Sequence, residues 1–145
     1  MKFIKESEFR RLNVKAQAVF LDWWKCEYGD LYFHDTRGVS FINEKLENAI
    51  NGDFDYFKTL GVIPLFTEGQ LREFIEEKTN GILELTHYIN RGVVRGIIIW
   101  KPASKSSFGD IILSKNIEKV DIINLYWDVA CELANKEALN QKEVS

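Results

Sequence analysis

The chain has 145 residues, enough to bury one sizeable core without disulfide or metal staples. Its formal charge of -3 removes any general attraction to a polyanion, so sequence-independent nucleic-acid binding would need a local basic patch. Cys26 and Cys131 lie far apart and read as buried thiols, nothing has metal-ligand spacing, and there is neither a leader-like start nor a run of ~20 apolar residues; together these predict a cytoplasmic protein with no cofactor, metal or membrane span.

The first fifteen residues carry Lys2, Lys5, Arg10, Arg11 and Lys15 against Glu6 and Glu8, and the basic arm over 1–12 reads as a solvated, flexible terminus. Asn13 can cap a helix whose apolar stripe is Ala16, Val19, Phe20 and Trp23, with Trp24 beside the stripe and a stop before Gly29. Leu31 to His34 and Val39 to Ile42 can pair as a hairpin across Asp35-Thr36-Arg37-Gly38. Glu44 to Ile50 reads as a short helix ended by Asn51-Gly52, and Asp53 to Gly61 as an aromatic loop packed over the core.

The most specific local signal follows. Pro64 favours an extended arrival, Thr67 is an N-cap with Gln70 placed to complete a capping box, and Phe66 can staple onto Leu71. Leu71, Phe74 and Ile75 then form the buried face of a helix that Gly81 ends. Ile82 to Ile89 is a strand with Leu83, Leu85, His87 and Ile89 on one face. Asn90-Arg91-Gly92 turns the chain into Val93 to Lys101, with Val94, Gly96, Ile98 and Trp100 assigned to the core side. Pro102 and a serine-rich loop, Ser104 to Gly109, precede a third strand, Ile111 to Leu113. A last helix from Asp121 to Lys136 carries Ile123, Tyr126, Trp127, Ala130, Leu133 and Ala134 at helical spacing, and 137–145 should fray. These elements predict a single α+β domain over 1–145, a small antiparallel hairpin or meander packed with about four helices.

Three blocks carry a resemblance: Phe20-Leu21-Asp22-Trp23-Trp24-Lys25 followed by Gly29-Asp30-Leu31, the stretch from Ile63 to Lys78, and Leu125-Tyr126-Trp127-Asp128-Val129-Ala130-Cys131. Together they resemble a group of small proteins encoded by phages and prophages of Gram-positive bacteria. The resemblance implies an origin, and it brings no catalytic or binding residues with it.

Catalytic chemistry is hard to assemble from these residues. His34 and His87 are the only histidines; the first sits at a strand end beside Asp35, the second on an apolar strand face, where a hydrogen-bonded core histidine is the simpler reading. Cys26 lies near a helix C-terminus, the wrong end of the dipole for a thiolate. Glu76-Glu77 and the Asp53, Asp55 pair read as solvated carboxylates, and Gly92 and Gly96 flank a hairpin strand instead of cradling a phosphate. The chain therefore reads as a non-enzyme with no catalytic residues.

Aromatic residues make up 13% of the chain, which directs attention to exposed rings next to cations as binding candidates. Trp24, Tyr28 and Arg37 make one group; Tyr88, Arg91 and Arg95, placed on the outer face of the second hairpin, make another. The expected activity is binding to a host or phage protein, with inhibition of a host defence system as one specific form and homo-oligomers allowed. The alternatives are a weak nucleic-acid binder using the basic arm and the hairpin arginines, and a sponge for small nucleotides built from arginine and aromatic residues converging between protomers.

Overall fold

A computed structural model describes residues 2–89, 93–100, 111–117 and 122–143. It is α+β: six helices and two three-stranded antiparallel sheets among the described residues. The chain divides into two compact units, one formed by Phe3–Phe66 with the end of the chain from Ala134, the other by Thr67–Leu133.

In the first unit the N-terminal arm packs its apolar residues instead of lying wholly in solvent. Ile4 and Phe9 are buried and the Ile4 amide donates to Phe66 O at 2.9 Å, so residues 6–10 form a short helix, α1 (Glu6–Arg10). Helix α2 (Val14–Trp23) starts at Asn13, whose side chain accepts from the Ala16 amide at 2.8 Å, and buries Ala16, Val19 and Phe20 as the spacing predicts. Strands β1 (Leu31–His34) and β2 (Gly38–Phe41) pair with Leu31 opposite Phe41 and His34 opposite Gly38. Gly38 has φ +67, the left-handed conformation that closes this three-residue turn.

Helix α3 (Glu44–Ala49) is capped by Asn43 and released through Asn51 and Gly52, both left-handed. The segment predicted as a loop contains α4 (Phe54–Phe57), because the Asp53 side chain accepts from the Tyr56 amide and caps a single turn. Phe57 is buried there, against Trp24 at 6.0 Å and Tyr32 at 5.1 Å between ring centroids. The arrival at Pro64 is itself a strand, β3 (Ile63–Pro64), which adds to β1 and gives the order β2-β1-β3.

The second unit opens on α5 (Glu68–Thr79). Its capping box is formed: Thr67 accepts from the Gln70 amide, and the Gln70 side chain takes the Thr67 amide at 2.9 Å. Leu71, Phe74 and Ile75 are buried, and Asn80 ends the helix in a left-handed conformation. Arg72 bridges Glu76 at 2.8 Å and the Leu83 carbonyl at 3.0 Å, tying α5 to the next strand. Strands β4 (Ile82–Ile89), β5 (Val93–Trp100) and β6 (Ile111–Ile117) form a meander, the last longer than predicted.

Helix α6 (Ile122–Glu143) gives its residues up to Leu133 to the second unit and those from Ala134 to the first. It continues past the predicted stop at Lys136 to Glu143, with Ala138 buried. The turn Asn90-Arg91-Gly92, the stretch 101–110 with its serine-rich loop, and the predicted helix start at Asp121 lie outside the described residues.

Candidate functional site

Of the residues predicted as binding sites, the structure places Trp24 in the core. Helix α2 stops at Trp23, and Trp24 is already extended (φ -62, ψ 123), so the helical angle that put it beside the apolar stripe no longer applies. Its indole turns inward, is 1% exposed, and donates from Nε1 to Asp30 Oδ2 at 3.0 Å. The same oxygen accepts the Glu27 amide at 3.0 Å, so one carboxylate fastens the loop from α2 into β1. Trp24 is thus a core residue, which corrects its assignment as a partner contact.

Tyr28 is exposed and its hydroxyl is bonded to the Glu47 carboxylate. That bond, with some desolvation and the neighbouring charges of Glu47 and Glu44, raises the phenol pKa and keeps it protonated. Arg37 is exposed in the β1–β2 turn, whereas Tyr28 lies at the other end of that hairpin, beyond Leu31. Three residue steps of strand, about 10 Å, separate the two ends.

In the second hairpin the register pairs Tyr88 with Val94 and His87 with Arg95. By this register Tyr88 and Arg95 are not paired positions, and their side chains lie outside what the structure describes. Strand β5 is apolar at almost every position, so its pattern alone does not say which face is inner. The register puts Ile97 and Ile99 opposite Leu85 and Leu83, and Leu83 is buried while Ile82 is exposed. Arg91 lies outside the described residues.

The residues considered for catalysis are engaged structurally. His34 Nε2 lies 3.1 Å from the Leu60 carbonyl, which makes it the donor; Nδ1 then accepts from the Thr36 hydroxyl at 2.8 Å and the Thr36 amide at 3.3 Å. Asp35 bonds Arg10 at 2.8 Å instead of orienting the imidazole. Cys26 is outside α2, in a left-handed conformation (φ 53) and 4% exposed. Burial pushes its thiol up to about 11, an environment that suppresses the nucleophilic thiolate. Among the described residues no group of three or more histidines, cysteines or carboxylates could hold a metal ion. No helix described is long and apolar enough to cross a membrane.

One surface of the first unit departs from ordinary sheet patterning. Tyr32 and Ile42 face the core, so the other face of the hairpin carries Leu31 and Phe33 from β1 with Val39 and Phe41 from β2. All four positions are apolar; Leu31 and Phe33 are half-buried and Ile63, opposite Phe33 on the same face, is buried, whereas Val39 and Phe41 are 55% and 52% exposed, where a face turned to water is normally polar. Arg10 lies over the Phe33 ring at 5.8 Å while paired with Asp35. Val39 and Phe41 escape a reading of the sequence because the alternation Gly38-Val39-Ser40-Phe41 makes them the natural inner face; only the burial of Tyr32, opposite Ser40, turns them outward. A cleft of about 490 Å³ on the same unit is lined by Phe9, Arg10, Gln17 and Lys58, but Arg10 is committed to Glu6 and Asp35.

Comparison with known protein families, curated proteins and solved structures finds no match.

Proposed function

We propose that this chain is a non-enzymatic accessory protein of phage or prophage origin that works by binding a host or phage protein. The observation that carries the binding mode is the apolar outer face of the β1–β2 hairpin, where Val39 and Phe41 stand exposed beside Leu31 and Phe33. The origin rests on the resemblance of the three sequence blocks. The engaged nitrogens of His34 and the raised Cys26 thiol support binding over catalysis. Occupying the surface of a host defence protein is the specific form that suits a small protein of this kind. The nucleic-acid alternative loses support because Arg10 is held by Glu6 and Asp35, and Arg11 lies 3.7 Å from Glu8.

The test is affinity capture from a Gram-positive host lysate with the wild-type chain and with Val39→Lys/Phe41→Lys. The variant should retain its melting temperature and lose the captured protein. Capture unchanged by both lysines, or hydrolytic or transfer activity abolished by His34→Ala with the fold intact, would overturn the reading.

A further inference from the structure

We infer that the chain pairs with a second copy of itself through the free edge of β2, joining two hairpins into one continuous antiparallel sheet. This goes beyond the proposed function, which uses the face of the hairpin; self-pairing uses its edge.

The hydrogen-bond phase of the hairpin carries the argument. The Ile42 amide donates to Asp30 O and the Ile42 carbonyl accepts from the Gly29 amide, both at 2.9 Å, so Ile42 spends its backbone groups on the β1 side. Alternation in an antiparallel ladder then assigns Ser40 and Gly38 to β1 as well and turns the N–H and C=O of Val39 and Phe41 outward. Among the described residues β2 has a strand neighbour on one side only. Its outer edge therefore offers two donors and two acceptors, the template that proteins usually block with lysine, proline or a covering element. No lysine or proline lies between Gly38 and Phe41.

A second copy fits this edge with a two-fold axis through Ser40. Val39 then stands opposite Phe41 of the partner and exchanges both backbone bonds with it, and the dyad repeats the exchange on the other side. Because Val39 and Phe41 share a face, this register also sets each valine beside the other copy's phenylalanine; a slip by one residue would put apolar side chains against the wrong face. Charge follows the same symmetry. Exposed Arg37 lies at one end of the strand, exposed Glu44 just past the other, and the dyad brings Arg37 of each copy to Asn43 and Glu44 of its mate. The edge is thus complementary to itself in backbone, apolar and charged groups, which singles out a second copy over an unrelated strand.

Sedimentation equilibrium of the full chain is the test. The wild type should show twice the chain mass at high concentration. Phe41→Pro, which removes an outward N–H and leaves the β1 ladder its bonds, should give the monomer mass with the fold intact by circular dichroism. Arg37→Glu should weaken pairing several-fold, and Arg37→Glu with Glu44→Arg should restore it, a rescue that only a self-paired edge in this register gives. A wild type that is monomeric at every concentration, or a dimer indifferent to Phe41→Pro and to the charge swap, overturns the inference. The lysate capture by Val39 and Phe41 would then still stand or fall separately, since a monomer can present its face.

Discussion

The strands of the first sheet are four, four and two residues long, and those of the second are eight, eight and seven. A ladder as short as the first is marginal by itself, so side chains hold it: Trp24 on Asp30, His34 on Leu60, Arg10 on Asp35, and Phe57 edge-on to Tyr32. The second sheet has backbone pairing along nearly its whole length, with one register shift at Ile99/Trp100. The lesson concerns where function can sit. In the short sheet most polar and aromatic groups near the strands are committed to holding the fold, and what remains free is the apolar face and edge of β2.

The largest expected effect tests whether side chains hold the first sheet. Trp24→Ala removes a fully buried indole, its ring contact with Phe57 and a partner of Asp30, and should cost about 3–5 kcal/mol in urea denaturation followed by circular dichroism. A loss below about 1 kcal/mol, with weakened partner capture, would return Trp24 to the surface and break the comparison.

A pH series sharpens it next. The Cys26 pKa lies at about 11 in the folded chain against an ordinary 9.0, because burial disfavours the thiolate. Between these values the unfolded chain has already released the proton and the folded chain has not, so stability present below pH 9 falls as pH rises toward 11. The interval corresponds to at most about 3 kcal/mol, reduced by solvent screening. In a Cys131→Ser background, melting curves from pH 8 to 11 should decline more steeply with Cys26 than with Cys26→Ala. Parallel curves would mean that the thiol reaches water in the folded state.

The same contrast explains what could be read from the sequence. Caps were legible at Asn13, Thr67 and the Asn51-Gly52 stop, because a cap depends on residues within one helical turn. The α+β class and all the strands but β3 were legible from alternation and turn residues. Faces were not: Val93 to Trp100 reads inward on either side, and only the pairing of Ile89 with Val93 decides that Val94 lies with Tyr88. Trp24 was misplaced because the helix ends one residue before it, and helix ends are poorly marked where no glycine or proline stands. The candidate surface at Val39 and Phe41 needed the knowledge that Tyr32 fills the inner face.

His34 gives a smaller effect that separates a clamp from a catalyst. Its ring links the β1–β2 turn to the Leu60 carbonyl, so His34→Ala should lower stability by about 1.5 kcal/mol while leaving partner capture at wild-type level. Loss of biological activity with unchanged circular dichroism and melting would reverse that assignment.

The smallest expected effects compare helix starts in the two regions. Asn13 and Asn43 accept the amides of Ala16 and Leu46 at 2.8 Å each, whereas Thr67 accepts that of Gln70 at 3.4 Å, near the limit of a hydrogen bond. In α5 the stronger half of the box is the return bond from Gln70 to the Thr67 amide at 2.9 Å. Asn13→Ala should therefore cost about 1 kcal/mol and Thr67→Ala about half as much. Gln70→Ala should match or exceed Thr67→Ala, and the double change should cost less than the sum, because each side chain positions the other. Denaturation midpoints of the four variants decide it. A Thr67→Ala loss larger than that of Asn13→Ala would mean that the hydroxyl bond tightens in solution and that the capping box fixes the α5 start more firmly than the single cap fixes α2.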